Sequence, residues 1–149
     1  KVPSRIAICR FPYLGAFLVR KLNLFSKAAV KMAVCKPLSA EVKAGYLFPY
    51  KNWHDRIGLY RFVQDIAVFP NHPSYETLVE IETALRRLKD HSFLMLWGLQ
   101  DFCFTRQFLE EWRVRFPNAK AVEYPNAGHY LFEDEPEKVL TEIKAFLSM

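Results

Sequence analysis

Apolar positions along the chain repeat at two different intervals, and the change of interval marks a change of architecture. Leu14, Leu18, Leu22, Phe25, Ala29 and Met32 recur every three or four residues, the spacing that lines one side of an α-helix. The spacing predicts one long helix from Pro12 to about Val34, after an arginine-bearing lead-in from Pro3 to Pro12. Pro37 ends it, Ser39 can cap a second helix that must stop before Pro49, and Asn52 can cap a third reaching about Gln64. Pro70-Asn-His-Pro73 reads as a rigid hinge, and Ser74 as the cap of a helix with Leu78, Ile81, Leu85 and Leu88 on one face. The helical period is then lost. Ser92-Phe-Leu-Met-Leu-Trp97 is a continuous apolar run, the pattern of a strand buried on both faces of a parallel sheet. Thr105 is placed to cap a helix bearing Phe108, Leu109, Trp112 and Phe116, and Lys120-Ala-Val-Glu-Tyr124 reads as a second strand. Asp134-x-x-Glu137 resembles a capping box for a last helix with Val139, Leu140, Ile143 and Leu147 on its packing face.

The order predicts an α/β protein with a helical region over 1–88 and a strand-helix-strand-helix region over 89–149. A chain of 149 residues, 51% hydrophobic and 15% aromatic, is ample for a core. Two recognisable strands cannot cover their own edges, however, and the run 92–97 expects neighbours on both sides. The chain is therefore expected to be the second half of a larger protein. Alone, it is expected to be inactive and poorly soluble, with Phe93, Leu94, Met95 and Leu96 lacking cover.

Charge is unevenly placed. Residues 1–60 carry 11 Lys and Arg against only Glu41 and Asp55, and the remaining 89 carry 10 basic against 14 acidic residues. Arg20, Lys27 and Lys31 fall opposite the apolar stripe of the first helix. Such a face fits an anionic lipid surface, an acidic partner protein, or plain solvation. Nucleic acid is not expected, because no zinc-finger, RNP-like or helix-turn-helix signature accompanies the charge. Cys9, Cys35 and Cys103 are odd in number and lack C-x-x-C spacing, which suits a reduced, cytoplasmic setting. His54, His72, His91 and His129 are scattered, so no metal site is expected, and Cys103 reads as a packing thiol.

The candidate chemistry lies at two strand ends. Gly98 breaks the first strand just before Asp101, and Pro125-Asn-Ala-Gly128 turns sharply out of the second, leaving His129 on the next loop. Parallel strands joined by a right-handed crossover bring such loops to one sheet edge, where open parallel sheets bind ligands. Asp101 and His129 could then meet as orienting acid and imidazole base. Glu133 and Asp134 also lie near His129 but are assigned to helix-start chemistry. A nucleophile elbow of the form G-x-S-x-G is absent, since glycines 15, 45, 58, 98 and 128 never stand four apart. Tyr46, Phe48, Tyr50, Trp53, Tyr60 and Phe62 make the helical region densely aromatic. They read either as a helical core or as a lid lining an apolar pocket.

Trp97-Gly98-x-x-Asp101, followed by Gly128-His129 and an acidic helix start, resembles the end of an α/β-hydrolase. Arg5-Ile-Ala-Ile-Cys-Arg10, Gly45-Tyr-Leu-Phe-Pro-Tyr50, Arg56 and Phe62-Val-Gln-Asp-Ile66 resemble the cap of its haloalkane dehalogenase-like branch. Within that branch they look closest to the β-lactone decarboxylases of long-chain olefin biosynthesis. The resemblance implies the C-terminal half of that fold, with 1–88 as the cap and 89–149 as the end of the core. It implies His129 as the catalytic histidine and Asp101 as its acid. The nucleophile would be an aspartate in a missing N-terminal half. An apolar, long-chain small-molecule substrate is implied, with Tyr46, Phe48, Trp53, Phe62 and Phe104 as pocket residues and no cofactor. The competing reading is a non-catalytic interaction protein that uses the basic helix as a docking surface.

Overall fold

A buried strand must find cover on both faces, and β1 (Leu94–Gly98) finds it between two helices. In the computed structural model, which describes residues 2–148, β1 pairs in parallel with β2 (Lys120–Tyr124) in the register Leu94 to Lys120 through Gly98 to Tyr124. Residue contacts divide the chain into two units, Lys1–Lys31 with Leu38–Thr83 and Met32–Pro37 with Ala84–Met149.

The first unit is helical. It holds α1 (Ser4–Ala7), α2 (Leu14–Ala16), most of α3 (Leu24–Met32), α4 (Ala40–Leu47), α5 (Ile57–Gln64) and all but the last residue of α6 (Tyr75–Ala84), with 3-10 turns at Ile8–Arg10 and Phe48–Tyr50. The single helix expected from Pro12 to Val34 is broken twice, and part of the expected lead-in is helical. Tyr13 has φ 59°, and its neighbours close a γ-turn in which the Leu14 N–H donates to the Pro12 carbonyl at 2.6 Å. A π-turn at Phe17–Lys21 then runs into Asn23, which has φ 54°. Asparagine tolerates this left-handed conformation because its amide bonds locally. Here the Asn23 side chain donates to the Tyr50 carbonyl at 3.3 Å and accepts from the Ser26 hydroxyl.

The buried line of this segment is Gly15, Val19, Asn23, Ser26 and Val30, one residue later than the expected apolar stripe. Leu14 and Leu22 are 46% and 40% exposed. Packing explains the phase: a Cβ on Gly15 would lie 2.1 Å from the Cys9 carbonyl oxygen, so only glycine allows that approach. Cys9, Val19, Tyr60 and Val63 form the core beside it. Arg56 draws the surrounding turns together by donating to the carbonyls of Arg20, Tyr50 and Lys51 at 2.7, 2.8 and 2.6 Å. Ser39 caps α4 as expected, accepting from the Val42 N–H at 3.1 Å. The third helix ends at Gln64 as expected but begins only at Ile57, because Asn52 instead accepts from the N–H groups of His54 and Asp55 in an Asx-type turn.

The second unit is a sheet between helices. α7 (Arg106–Arg115) crosses from β1 to β2, and α8 (Leu131–Asp134) and α9 (Pro136–Leu147) close the chain. Side chains alternate across the strands. Met95, Trp97 and Ala121 pack with Leu109, Trp112 and Phe116 on the α7 side, whereas Leu96, Val122 and Tyr124 pack with Leu131, Val139 and Ile143 on the other. Phe93, Met95 and Leu96 of the apolar run thus pack into these clusters, contrary to expectation, although of Phe93, Leu94, Met95 and Leu96 only Met95 is buried. Among the described residues, each strand is paired along one edge only. Thr105 occupies the N-cap position of α7, but its side chain makes no capping hydrogen bond.

Candidate active site

The parallel ladder delivers its two following loops to the same end of the sheet, and backbone bonds then lock them together. Leu99 N–H donates to Tyr124 O and Gln100 N–H to Ala127 O, both at 3.0 Å. Gly98 makes this approach possible, since a Cβ there would meet the carbonyl oxygens of Gly128 and Ala127 at 2.4 and 2.6 Å. Just beyond, Asp101 turns its chain tightly: Oδ1 accepts from the N–H groups of Cys103 and Phe104 at 2.7 and 2.9 Å. Its other oxygen, Oδ2, lies 2.8 Å from Nδ1 of His129. The two residues that strand-end reasoning singled out therefore meet in the second unit.

A neutral imidazole donating from Nδ1 to a carboxylate carries its lone pair on Nε2, which can take a proton. The Asp101 hydrogen bond raises the His129 pKa above the usual imidazole value, against the opposing effect of burial. Burial pushes the Asp101 carboxyl up, but the hydrogen bonds from His129, Phe104 and Cys103 together hold it below the usual carboxylate range. The result is an ionised acid behind a base of increased proton affinity. Rings surround the imidazole: Phe104, Tyr130 and Phe102 have centroids 5.5, 6.0 and 6.2 Å from it. Phe104 is among the residues expected to line a pocket, whereas Phe102 and Tyr130 are not singled out by sequence as ring neighbours of the histidine, although both adjoin the two chemical residues.

Tyr46, Phe48, Trp53 and Phe62 belong to the first unit. Phe48 and Phe62 are 66% and 72% exposed there, and Tyr46 is half-buried. Trp53 stacks under the Arg20 guanidinium at 4.0 Å, and Arg20 also donates to the Trp53 carbonyl. One of the three cations of the expected basic face is thus engaged within its own unit. Burial and then the Asp101 charge push the Cys103 thiol up, away from the thiolate form. Among the described residues no group of three or more His, Cys, Asp or Glu could hold a metal ion, and no helix is long and apolar enough to cross a membrane.

Asp134 departs from its expected role. It is 1% exposed, ends α8 rather than capping α9, and spends its carboxylate on the N–H groups of Gly128, Cys35 and Lys36. An acid before a helix fits a capping box, and nothing in its neighbourhood in sequence announces partners nearly a hundred residues away.

No protein-family model matches the chain. It is 38% identical over 148 residues to a cis-3-alkyl-4-alkyloxetan-2-one decarboxylase of Shewanella oneidensis, covering 99% of this chain and 46% of that protein. It is 36% identical over 146 residues to the enzyme of the same name in Xanthomonas campestris pv. campestris, covering 98% and 49%. The chain thus spans about half the length of the curated relatives it matches. Among solved structures, the haloalkane dehalogenase DatA of Agrobacterium tumefaciens superposes with a TM-score of 0.80 at 23% identity, over 97% of this chain and 50% of that one. A loop variant of DbeA from Bradyrhizobium elkanii superposes at 0.86 with 19% identity, over 97% and 48%. With an acid after one parallel strand and a histidine after the next, the chain carries the C-terminal half of an α/β-hydrolase fold, similar in sequence to the oxetanone decarboxylases and in fold to the haloalkane dehalogenases.

Proposed function

We propose that, in the complete protein, this chain supplies the histidine and its acid to an enzyme acting on a β-lactone with apolar alkyl substituents. The observation that carries the reading is the 2.8 Å contact between His129 Nδ1 and Asp101 Oδ2, in a chain 38% and 36% identical to two proteins named for that substrate class. Residues outside this chain would provide the nucleophile, a carboxylate in the dehalogenase-like branch, together with the oxyanion-stabilising donors. Attack on the strained ring would form an ester or acyl intermediate. Where water resolves that intermediate, His129 Nε2 takes the water proton and Asp101 stabilises the imidazolium. Where carbon dioxide is lost instead, the lactone divides into that gas and an alkene with no net proton taken up or released, so any proton the imidazole moves must return to it within the cycle. The rings of Phe102, Phe104 and Tyr130 support an apolar substrate beside the base.

The test is turnover of a cis-3,4-dialkyl-oxetan-2-one by the full-length protein, following alkene and carbon dioxide release. His129→Ala should lower the rate by ~10²–10⁴-fold. A near-normal rate would remove His129 from the chemistry. Halide release from a haloalkane outpacing alkene release from the lactone would assign dehalogenation instead.

A further inference from the structure

Asp134 is the one fully buried carboxylate among the described residues, at 1% exposure, and the chemistry above makes no use of it. Desolvating a carboxylate is unfavourable unless hydrogen bonds replace its hydration. Its partners here are all backbone N–H groups. Oδ2 accepts from Gly128 at 2.7 Å and from Cys35 at 3.0 Å, and Oδ1 accepts from Cys35 and Lys36, both at 2.9 Å. The Lys36 ammonium meanwhile bonds the Asp134 carbonyl at 2.6 Å and Glu135 Oε1 at 3.0 Å, tying the same turn from outside.

Gly128 immediately precedes His129. On the other side of the histidine, the Tyr130 N–H donates to the Ala33 carbonyl at 2.7 Å. The peptides flanking His129 are therefore anchored separately to the segment 33–36, one through the Asp134 carboxylate and one directly. Gly128 also packs so closely there that a Cβ would lie 2.8 Å from the Ala33 carbonyl oxygen. With both neighbours held, the His129 Cα has little freedom to carry its ring away from Asp101.

We propose that Asp134 is a positioning residue: by binding the Gly128 amide to the turn at Cys35 and Lys36, it sets the His129 backbone at the place from which Nδ1 reaches Asp101. This rests on reading His129 as the base. It differs from helix capping in its consequence, since losing a cap frays a helix end, whereas losing this carboxylate releases the imidazole. Isosteric replacement by asparagine turns one acceptor into a donor facing a backbone donor, so the clamp opens while the volume stays filled.

The experiment compares full-length wild type with Asp134→Asn. The readouts are the ¹H and ¹⁵N resonances of the His129 ring, circular dichroism below the melting transition, and steady-state kinetics on a dialkyl β-lactone. The expected result is a folded variant that loses the low-field Nδ1 proton of the His129–Asp101 hydrogen bond. Its kcat should fall about tenfold to a hundredfold with KM little changed, as displacement of a catalytic group by about an ångström does. A folded Asp134→Asn protein retaining that proton signal overturns the proposal, whatever its rate. Should the variant not fold, amide exchange in the wild type decides: a Gly128 amide protected like the sheet amides supports the clamp, and one exchanging like an open loop overturns it. Failure of the base reading is separable, because it would appear as an active His129→Ala enzyme while the ring spectrum of Asp134→Asn still reports on positioning.

Discussion

Two carboxylates serve the histidine loop, and their surroundings give them different work. Asp101, with its side chain 10% exposed, faces the imidazole and is held ionised by it and by two N–H groups; Asp134, more deeply buried, faces only backbone N–H groups. Because the Asp101 bond raises the His129 pKa, and a base must be neutral, the acid limb of kcat/KM should lie above the ordinary imidazole value of about 6.5. Asp101→Asn should move that limb downward and reduce turnover severely, since it also disturbs the tautomer; a rate profile unmoved by the substitution would show that another acid orients the ring. Stability runs the other way. A raised histidine pKa contributes stability that is complete below the unfolded value and lost as pH rises through the folded one. The depressed Asp101 contributes stability above its unfolded value and loses it as pH falls through its folded one. The pair therefore steadies the fold most between the two unfolded values, about 3.9 for aspartate and about 6.5 for histidine, and contributes less at the higher pH where the imidazole is neutral, so the difference in Tm between wild type and His129→Ala should shrink from mildly acidic to alkaline pH.

Among the elements, local signals read correctly from sequence were those whose causes are local. A continuous apolar run gave β1, Gly98 and the Pro125–Gly128 turn gave the strand ends, and Ser39 gave a cap. The first helix shows where such reading fails. Its three-and-four spacing is right, but the Leu14 line and the Gly15 line share that spacing, and hydrophobicity selects the wrong one. Gly15 faces inward because the Cys9 backbone crowds it, a fact stored in the packing of Cys9 and Tyr60 rather than in the helix itself, and Ser26 faces inward with its hydroxyl bonded to Asn23. The break at Asn23 likewise depends on the Tyr50 carbonyl, 27 residues away in sequence. Asp101 and His129 were legible because each follows its own strand; Asp134 was not, because its meaning lies in Cys35 and Lys36. Gly98→Ala is the sharpest test at this scale. Its Cβ would strike the carbonyls of Ala127 and Gly128, so the His129 loop must shift. Turnover should drop by about a hundredfold with the helical circular dichroism retained, whereas full activity would mean that the two loops separate freely.

For the whole molecule, the chain's half coverage of its curated relatives and its single-edged strands lead to one expectation. The 149-residue chain alone should turn over neither a dialkyl β-lactone nor a haloalkane, and should self-associate on size-exclusion chromatography. Phe11, Tyr13, Phe17, Val114 and Leu147, between 51% and 91% exposed, add to that tendency. Supplying the remainder of a matching α/β-hydrolase in trans should restore monodispersity and activity together; a monodisperse, active chain on its own would place the nucleophile within these residues. The alignment Gly98 to Tyr124 has a further effect on such assembly. Successive strand residues are about 3.3 Å apart, so sliding β1 by a single step against β2 would separate acid and base by more than the bond between them and invert which side chains meet α7. The ladder is in this sense a vernier for proton transfer: partners that pair with the open edges in the wrong frame would yield a folded sheet with a silent imidazole, and heat or pressure that loosens the frame should extinguish catalysis before the helices melt.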